Sequence, residues 1–203
     1  DRVEIGGLPQ ERIAVEVSGR VLETLGLSLD GIGEQVDRLA REIGEHLSAL
    51  REEGLNAFGY AGGYHLPLAT LTGSVRGDLV LLEPLLGIGE LAISDHRSSQ
   101  PTFDEILRLA ADAHVSGLMT GKAGVLHLHL GDGLRGLDLV RRALNESEIP
   151  ARVFNPTHVN RRKALFDEAV TLAAQGCYID LTAFPVEDGE DAWSAAEGLQ
   201  RYL

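Results

Sequence analysis

From about residue 34 onward the apolar positions switch repeatedly between a helical and a strand-like period. Val36, Leu39, Ala40, Ile43, Leu47 and Leu50 recur at i, i+3, i+4, i+7 spacing and predict one face of a helix, with Gly54 placed to cap it. The short apolar run Leu55 to Tyr60 predicts a strand, and Ile88 to Ile93 a second. A helix is expected from Phe103 to His114, opened by Pro101-Thr102. Then follow strand Gly124 to Leu130, helix Gly136 to Asn145, strand Ala151 to Phe154, helix Arg162 to Gln175, strand Tyr178 to Thr182 and a helical stretch from Asp191 to Leu203. Strand starts lie roughly 25–40 residues apart, the repeat of βα units. Residues 1–33 differ. Ile13, Val15 and Val17 alternate and permit a strand over Arg12 to Val17, but glycines interrupt the rest and no chemistry is visible. The expected division is a segment of unclear role over 1–33 and a partial barrel domain over 34–203.

Buried strands joined by crossover helices imply a parallel α/β fold, either an open doubly wound sheet or a closed barrel. Gly62-Gly63 follows a strand but leads into Tyr64-His65-Leu66-Pro67, without the glycine spacing of a dinucleotide fingerprint. Reactive side chains gather where strands end: Tyr64 and His65, then Ser94 to Arg97, then His127 and His129, then Thr157 to Arg161. Barrel enzymes build their sites there. The expected fold is therefore a (β/α)8 TIM barrel of the metal-dependent hydrolase type, incomplete in this chain, with about five βα units.

Composition narrows the partners. The chain has 203 residues and a net charge of −13, which argues against a binder that tracks nucleic-acid phosphates. No apolar run is long enough to span a membrane, and Asp1 to Gly7 has neither part of a signal peptide. The single cysteine, Cys177, fits a reducing cytoplasm. A homo-oligomer is expected.

Alternation on the third strand puts Val125, His127 and His129 on one face and Leu126, Leu128 and Leu130 on the other. Each histidine could be a metal ligand or a hydrogen-bonded core residue. His158 stands at a strand-to-loop corner after Pro156, placed to ligate or simply to face solvent. Glu90 is a carboxylate inside the apolar run Gly87 to Ile93 and needs a metal, an arginine such as Arg97, or a helix end.

Longer motifs go further. Tyr64-His65-Leu66-Pro67, Thr72-Gly73-Ser74-Val75, Gly87 to Ser98, Gly121-Lys122 with His129-Leu130-Gly131-Asp132, Pro156-Thr157-His158-Val159-Asn160-Arg161 and Gly176 to Thr182 together resemble the isoaspartyl (β-aspartyl) dipeptidases of the amidohydrolase superfamily. The resemblance spans about residues 47 to 183. It implies a zinc metallopeptidase with a binuclear centre, one or two zincs being expected here, in which a metal-bound hydroxide attacks the isopeptide carbonyl of a small dipeptide. It makes His129 and His158 ligands of one zinc. Glu90 falls where many members carry a carboxylated lysine bridging the metals, so a plain glutamate would bridge here. Tyr64 matches the phenol that polarises the scissile carbonyl, and Arg97 and Arg161 match the groups that hold substrate carboxylates. Two family features are not found: a His-x-His pair upstream of His127, where His46 stands alone, and the aspartate of the last strand. The chain is therefore expected to be a piece of a longer enzyme or a cut-down relative. The alternatives are a non-catalytic binding or assembly module and a cyclic-amide hydrolase, the latter disfavoured by the paired arginines.

Overall fold

The computed structural model describes residues 49, 50 and 52–203. The helical face Val36 to Leu47, the strand over Arg12 to Val17, His46 and the division at residue 33 lie outside the described residues. Gly54 takes a left-handed φ of +83°, and the Leu55 amide donates to Leu50 O at 2.9 Å, which is the expected glycine cap.

Four strands make one parallel sheet in the order β1 (Gly59–Ala61), β2 (Leu85–Ser94), β3 (Val125–Leu130), β4 (Phe154–Thr157). Helices α1 (Val75–Leu81), α2 (Phe103–Thr120), α3 (Asp138–Glu146) and α4 (Lys163–Ala173) follow the strands in turn, and α5 (Ala195–Tyr202) closes the described chain. Among the described residues the strand order is sequential, without the reversal that marks a doubly wound sheet.

Local chemistry explains the element ends. Thr102 and Glu105 form a reciprocal capping box at the start of α2, as Ser194 and Glu197 do for α5. Helix α2 runs past His114 to Thr120, where Gly121 in the left-handed region ends it. Helix α1 has no clear apolar period and was not anticipated. Ser74 caps it, and Gly77 belongs inside it because a Cβ there would sit 2.3 Å from Thr72 Oγ1. The buried Asp78 carboxylate accepts from the Leu71 and Thr72 amides and from Thr72 Oγ1. The Thr72 to Val75 motif is thus a structural corner that braces the loop after β1.

Three expected strands differ: the run Leu55 to Tyr60 is strand only from Gly59, as Gly59–Ala61, and two others depart further. Residues 151–153 form a 3-10 turn, and the strand begins at Phe154 and runs through Pro156. Beyond it, the Tyr178 amide donates to Phe154 O at 3.1 Å and the Asp180 amide to Pro156 O at 3.0 Å. The expected strand Tyr178 to Thr182 therefore lies beside β4 as an extended segment, not a regular strand. The return bond of a parallel ladder would come from the amide of residue 156, and proline has none.

The core lies on one face of the sheet. Leu126, Leu128 and Leu130 pack with Leu79 of α1, Ile106 and Ala110 of α2, Val140 and Ala143 of α3, and Phe166 and Ala169 of α4. Burying each large side chain contributes about 1.5–3 kcal/mol. The other face carries His127 and His129, as alternation on β3 predicts. On β2 the pairing slips between Ile88 and Leu91. Leu91 and Ile93 thereby rejoin the core, while Glu90 is delivered to the histidine side.

Candidate metal centre

Glu90, His129 and His158 come from three different strands or strand ends and meet at one point. Their ligand atoms all lie within 4.8 Å of one another. Glu90 Oε1 is 2.6 Å from His129 Nδ1 and 3.0 Å from His158 Nε2. On its far side, His158 Nδ1 bonds Thr182 Oγ1. His158 takes a left-handed backbone (φ +63°), a conformation in which histidine is enriched among non-glycine residues. That corner turns its ring back over the sheet, edge-on to His129 at 4.7 Å between centroids.

Glycines allow the approach. A Cβ at Gly89 would meet His127 O at 2.5 Å, and one at Gly87 would meet Val125 O at 2.4 Å, so β2 sits close against β3 only because these residues are bare. The same gap lets the Tyr60 ring cross β2 and stack on His127, with centroids 4.6 Å apart and planes 3° from parallel.

His127 shares a face with His129, but of the histidines the family resemblance assigns only His129 and His158 to the metal. Among the described residues His127 stands apart from the three-residue group. Its Nδ1 faces Asn155 Nδ2 at 3.1 Å, and burial lowers its pKa, which keeps the ring neutral. His127→Asn should leave zinc affinity within a few fold of the unsubstituted chain. A loss as large as that caused by His129→Ala would make His127 a ligand.

Tyr64 lies edge-on to His129 at 4.8 Å, and its hydroxyl is buried without a hydrogen-bond partner. Burial and then the Asp95 charge raise its pKa, so the phenol keeps its proton. The Tyr64 carbonyl accepts from the Ala92 amide at 3.1 Å, and His65 Nε2 bonds Arg97 O at 2.7 Å, which docks the loop after β1 onto the loop after β2. Arg97 is brought to this group, 5.9 Å above the Tyr64 ring. Arg161 lies one short turn after His158, its amide donating to His158 O at 3.1 Å, and its guanidinium makes no hydrogen bond among the described residues.

Asp95 is the residue to which the sequence reading assigned no role. Its side chain is fully buried, and it accepts a two-pronged bond from Arg97 (Nε to Oδ1 at 2.8 Å, Nη2 to Oδ2 at 2.6 Å). Oδ2 also faces His129 Nε2 at 3.2 Å. A Cβ at Gly131 would fall 1.8 Å from that oxygen, so the glycine after β3 makes the room. The signal was a carboxylate two residues before an arginine, opposite a glycine that follows the histidine strand. A second acidic group, Asp95, His96 and Asp132, is mostly exposed, and its His96 Nδ1 already bonds Asp132 Oδ2 at 2.7 Å.

Both buried carboxylates sit below the ordinary range. For Glu90, burial alone pushes upward, but the bonds from His129 and His158 outweigh it. For Asp95 the Arg97 fork dominates. A carboxylate with a depressed folded pKa contributes stability that is present above its unfolded value, near 4, and is lost as pH falls. Asp95→Asn should therefore unfold more readily than the unsubstituted chain at pH 7, and the gap between the two denaturation midpoints should begin to narrow below about pH 4 and keep narrowing as pH falls toward the depressed folded value. A gap that widens on acidification would contradict the ion-pair account.

The donor set is one carboxylate and two imidazoles, nearly buried and convergent, which suits zinc or a comparable borderline cation. Neither lysine of the chain reaches it. Lys122 Nζ bonds Leu79 O and Leu82 O, and Lys163 Nζ lies 4.6 Å over the Trp193 ring. Cys177 is buried and its thiol pKa is pushed up to about 11, which makes it unreactive.

No protein-family model matches the chain. Solved structures do, among them two of β-aspartyl dipeptidase from the thermophilic keratin-degrading Fervidobacterium islandicum AW-1. One is in complex with the β-Asp-Leu dipeptide and is 38% identical with a TM-score of 0.69. The other is 37% identical with a TM-score of 0.72. The chain is a relative of the β-aspartyl dipeptidases. Each match covers 87% of this chain and 44% of the matched one, so this chain spans less than half the length of these dipeptidases. The dipeptidase resemblance read from the motifs is thus matched in three dimensions. Among the described residues, no helix of this dipeptidase relative is long and apolar enough to cross a membrane.

Proposed function

We propose that this chain carries part of the active site of a metal-dependent hydrolase of β-aspartyl dipeptides, built on a partial (β/α) barrel. The convergence of Glu90, His129 and His158 carries the reading. The sequential parallel strand order supports the barrel, and the two dipeptidase relatives support the substrate class.

Glu90, His129 and His158 would hold zinc, His158 steadied by Thr182. When bound, such an ion supplies Lewis acidity and a lowered pKa for water. Glu90 stays ionised through neutral pH and brings the negative charge that a dication needs. Tyr64 keeps its proton, and its buried hydroxyl beside Asp95 makes no well-formed hydrogen bond, so it can turn to donate to an oxyanion that develops beside His129. Arg97 retains donors beyond the two that Asp95 occupies, and its side chain is 58% exposed, so it can still take a substrate carboxylate. Arg161 is the second candidate clamp. A β-aspartyl dipeptide has two carboxylates, which is what two guanidinium groups would recognise.

Binding and turnover separate the parts of this reading. β-Asp-Leu should bind the zinc-loaded chain weakly, and Arg97→Ala or Arg161→Ala should each weaken that binding further. Hydrolysis should stay near background, since the described residues bring no further pair of histidines to Glu90 and no assigned group to protonate the leaving amine. Binding indifferent to both substitutions would remove the proposed substrate site. Robust turnover, abolished by Tyr64→Phe and by a chelator, would place the completing ligands within residues 1–48.

A further inference from the structure

We propose that Asp95 is a positioning residue that joins the metal ligand His129 to the substrate-binding Arg97 through one buried carboxylate. This rests on the metal-site reading above and adds to it a residue that sets how tightly the site binds.

A neutral imidazole has one N–H, and His129 lies between two carboxylates. Its Nδ1 faces Glu90 Oε1 at 2.6 Å and its Nε2 faces Asp95 Oδ2 at 3.2 Å. With the proton on Nε2, the ring donates to Asp95 and offers the Nδ1 lone pair to the point shared with Glu90 and His158. With the proton on Nδ1, the lone pair that a metal needs is used up, and the Nε2 lone pair is set against a carboxylate oxygen. Once a cation takes the Nδ1 lone pair, Asp95 is the acceptor placed to hold the proton on Nε2 and so to fix the ligating tautomer, as outer carboxylates do for metal-bound histidines.

The same carboxylate is itself held in place. Arg97 grips both oxygens, and the Arg97 amide adds a bond to Oδ1 at 2.8 Å. His96 Nδ1 stands 3.7 Å from Oδ1. Gly131 leaves the space that Oδ2 fills. Arg97 is in turn fixed in its plane, with its unused donors toward solvent where a substrate carboxylate would arrive. One buried anion therefore aligns a ligand on one side and a substrate clamp on the other. Asparagine cannot replace it, because its single acceptor oxygen cannot serve both the Arg97 fork and the His129 N–H.

The test uses zinc as the probe, in competition with a chromophoric chelator, on the unsubstituted chain, Asp95→Asn and Arg97→Ala. Binding of β-Asp-Leu is measured in parallel. Asp95→Asn should lose about 10–100-fold in zinc affinity, the range for outer partners of a ligand, and should weaken dipeptide binding as well. Arg97→Ala should weaken dipeptide binding most and should lower zinc affinity less than Asp95→Asn does, because Asp95 keeps its contact with His129 but loses the fork that fixes it. A folded Asp95→Asn with unchanged zinc affinity overturns the proposal. A long-range 1H–15N spectrum of the zinc-loaded unsubstituted chain decides it without any variant. His129 should be protonated at Nε2, and protonation at Nδ1 overturns the proposal even if Asp95→Asn does not fold. Absence of zinc binding by the unsubstituted chain would instead overturn the metal site itself, an outcome distinct from either.

Discussion

His129→Ala and His158→Ala should each strip the chain of zinc under conditions in which the unsubstituted protein retains about one ion. The two rings contribute two of three convergent donors, and alanine leaves a gap that water fills poorly inside a nearly buried site. The loss should be at least as large as the 10–100-fold seen when only an outer partner of a ligand is removed. The two substitutions should also behave alike, although their positions differ. His129 is held within β3, whereas His158 sits on a left-handed corner after β4 and reaches the same Glu90 oxygen. Equal zinc content in all three proteins, measured after dialysis, would dissolve the proposed centre.

Glu90→Gln should weaken zinc by about tenfold or more, and added bicarbonate should change nothing in the unsubstituted chain. The amide keeps the volume of the carboxylate but removes the only negative charge among the three donors, and it can turn an N–H toward the histidines. A carboxylated lysine would need carbon dioxide to become a ligand, and a glutamate does not. Lys122 is tied to the C-terminal carbonyls of α1 and Lys163 covers Trp193, so neither can take that place in the described fold. Zinc binding that depends on bicarbonate would refute the proposal that Glu90 is the anionic ligand.

How much of this was legible in the sequence depended on whether one element or several set the outcome. The face shared by His127 and His129, and the leucines opposite, follow from strand alternation within β3 alone. The cap at Gly54 and the helix start at Thr102 are likewise local. Glu90 is different. Strict alternation would place it on the same face as Ile88, inside the core, and only the slip in the pairing of β2 with β3 turns it toward the histidines. Asp95 carried no visible role because its partners lie on two loops and a strand, and its meaning is their distance from it. The segment at Tyr178 was read as a strand and does lie beside β4, but Pro156 cannot complete the ladder, a consequence of the neighbouring chain. Thr182, which steadies His158, stood at the end of that segment with nothing local to distinguish it.

Diffraction from crystals soaked in zinc, with anomalous data collected at the zinc edge, locates the ion itself. An anomalous peak is expected about 2.0–2.2 Å from His129 Nδ1, His158 Nε2 and a carboxylate oxygen of Glu90, the bond lengths for these donors. A peak instead at the exposed group of Asp95, His96 and Asp132, or none near Glu90, would contradict the proposed centre.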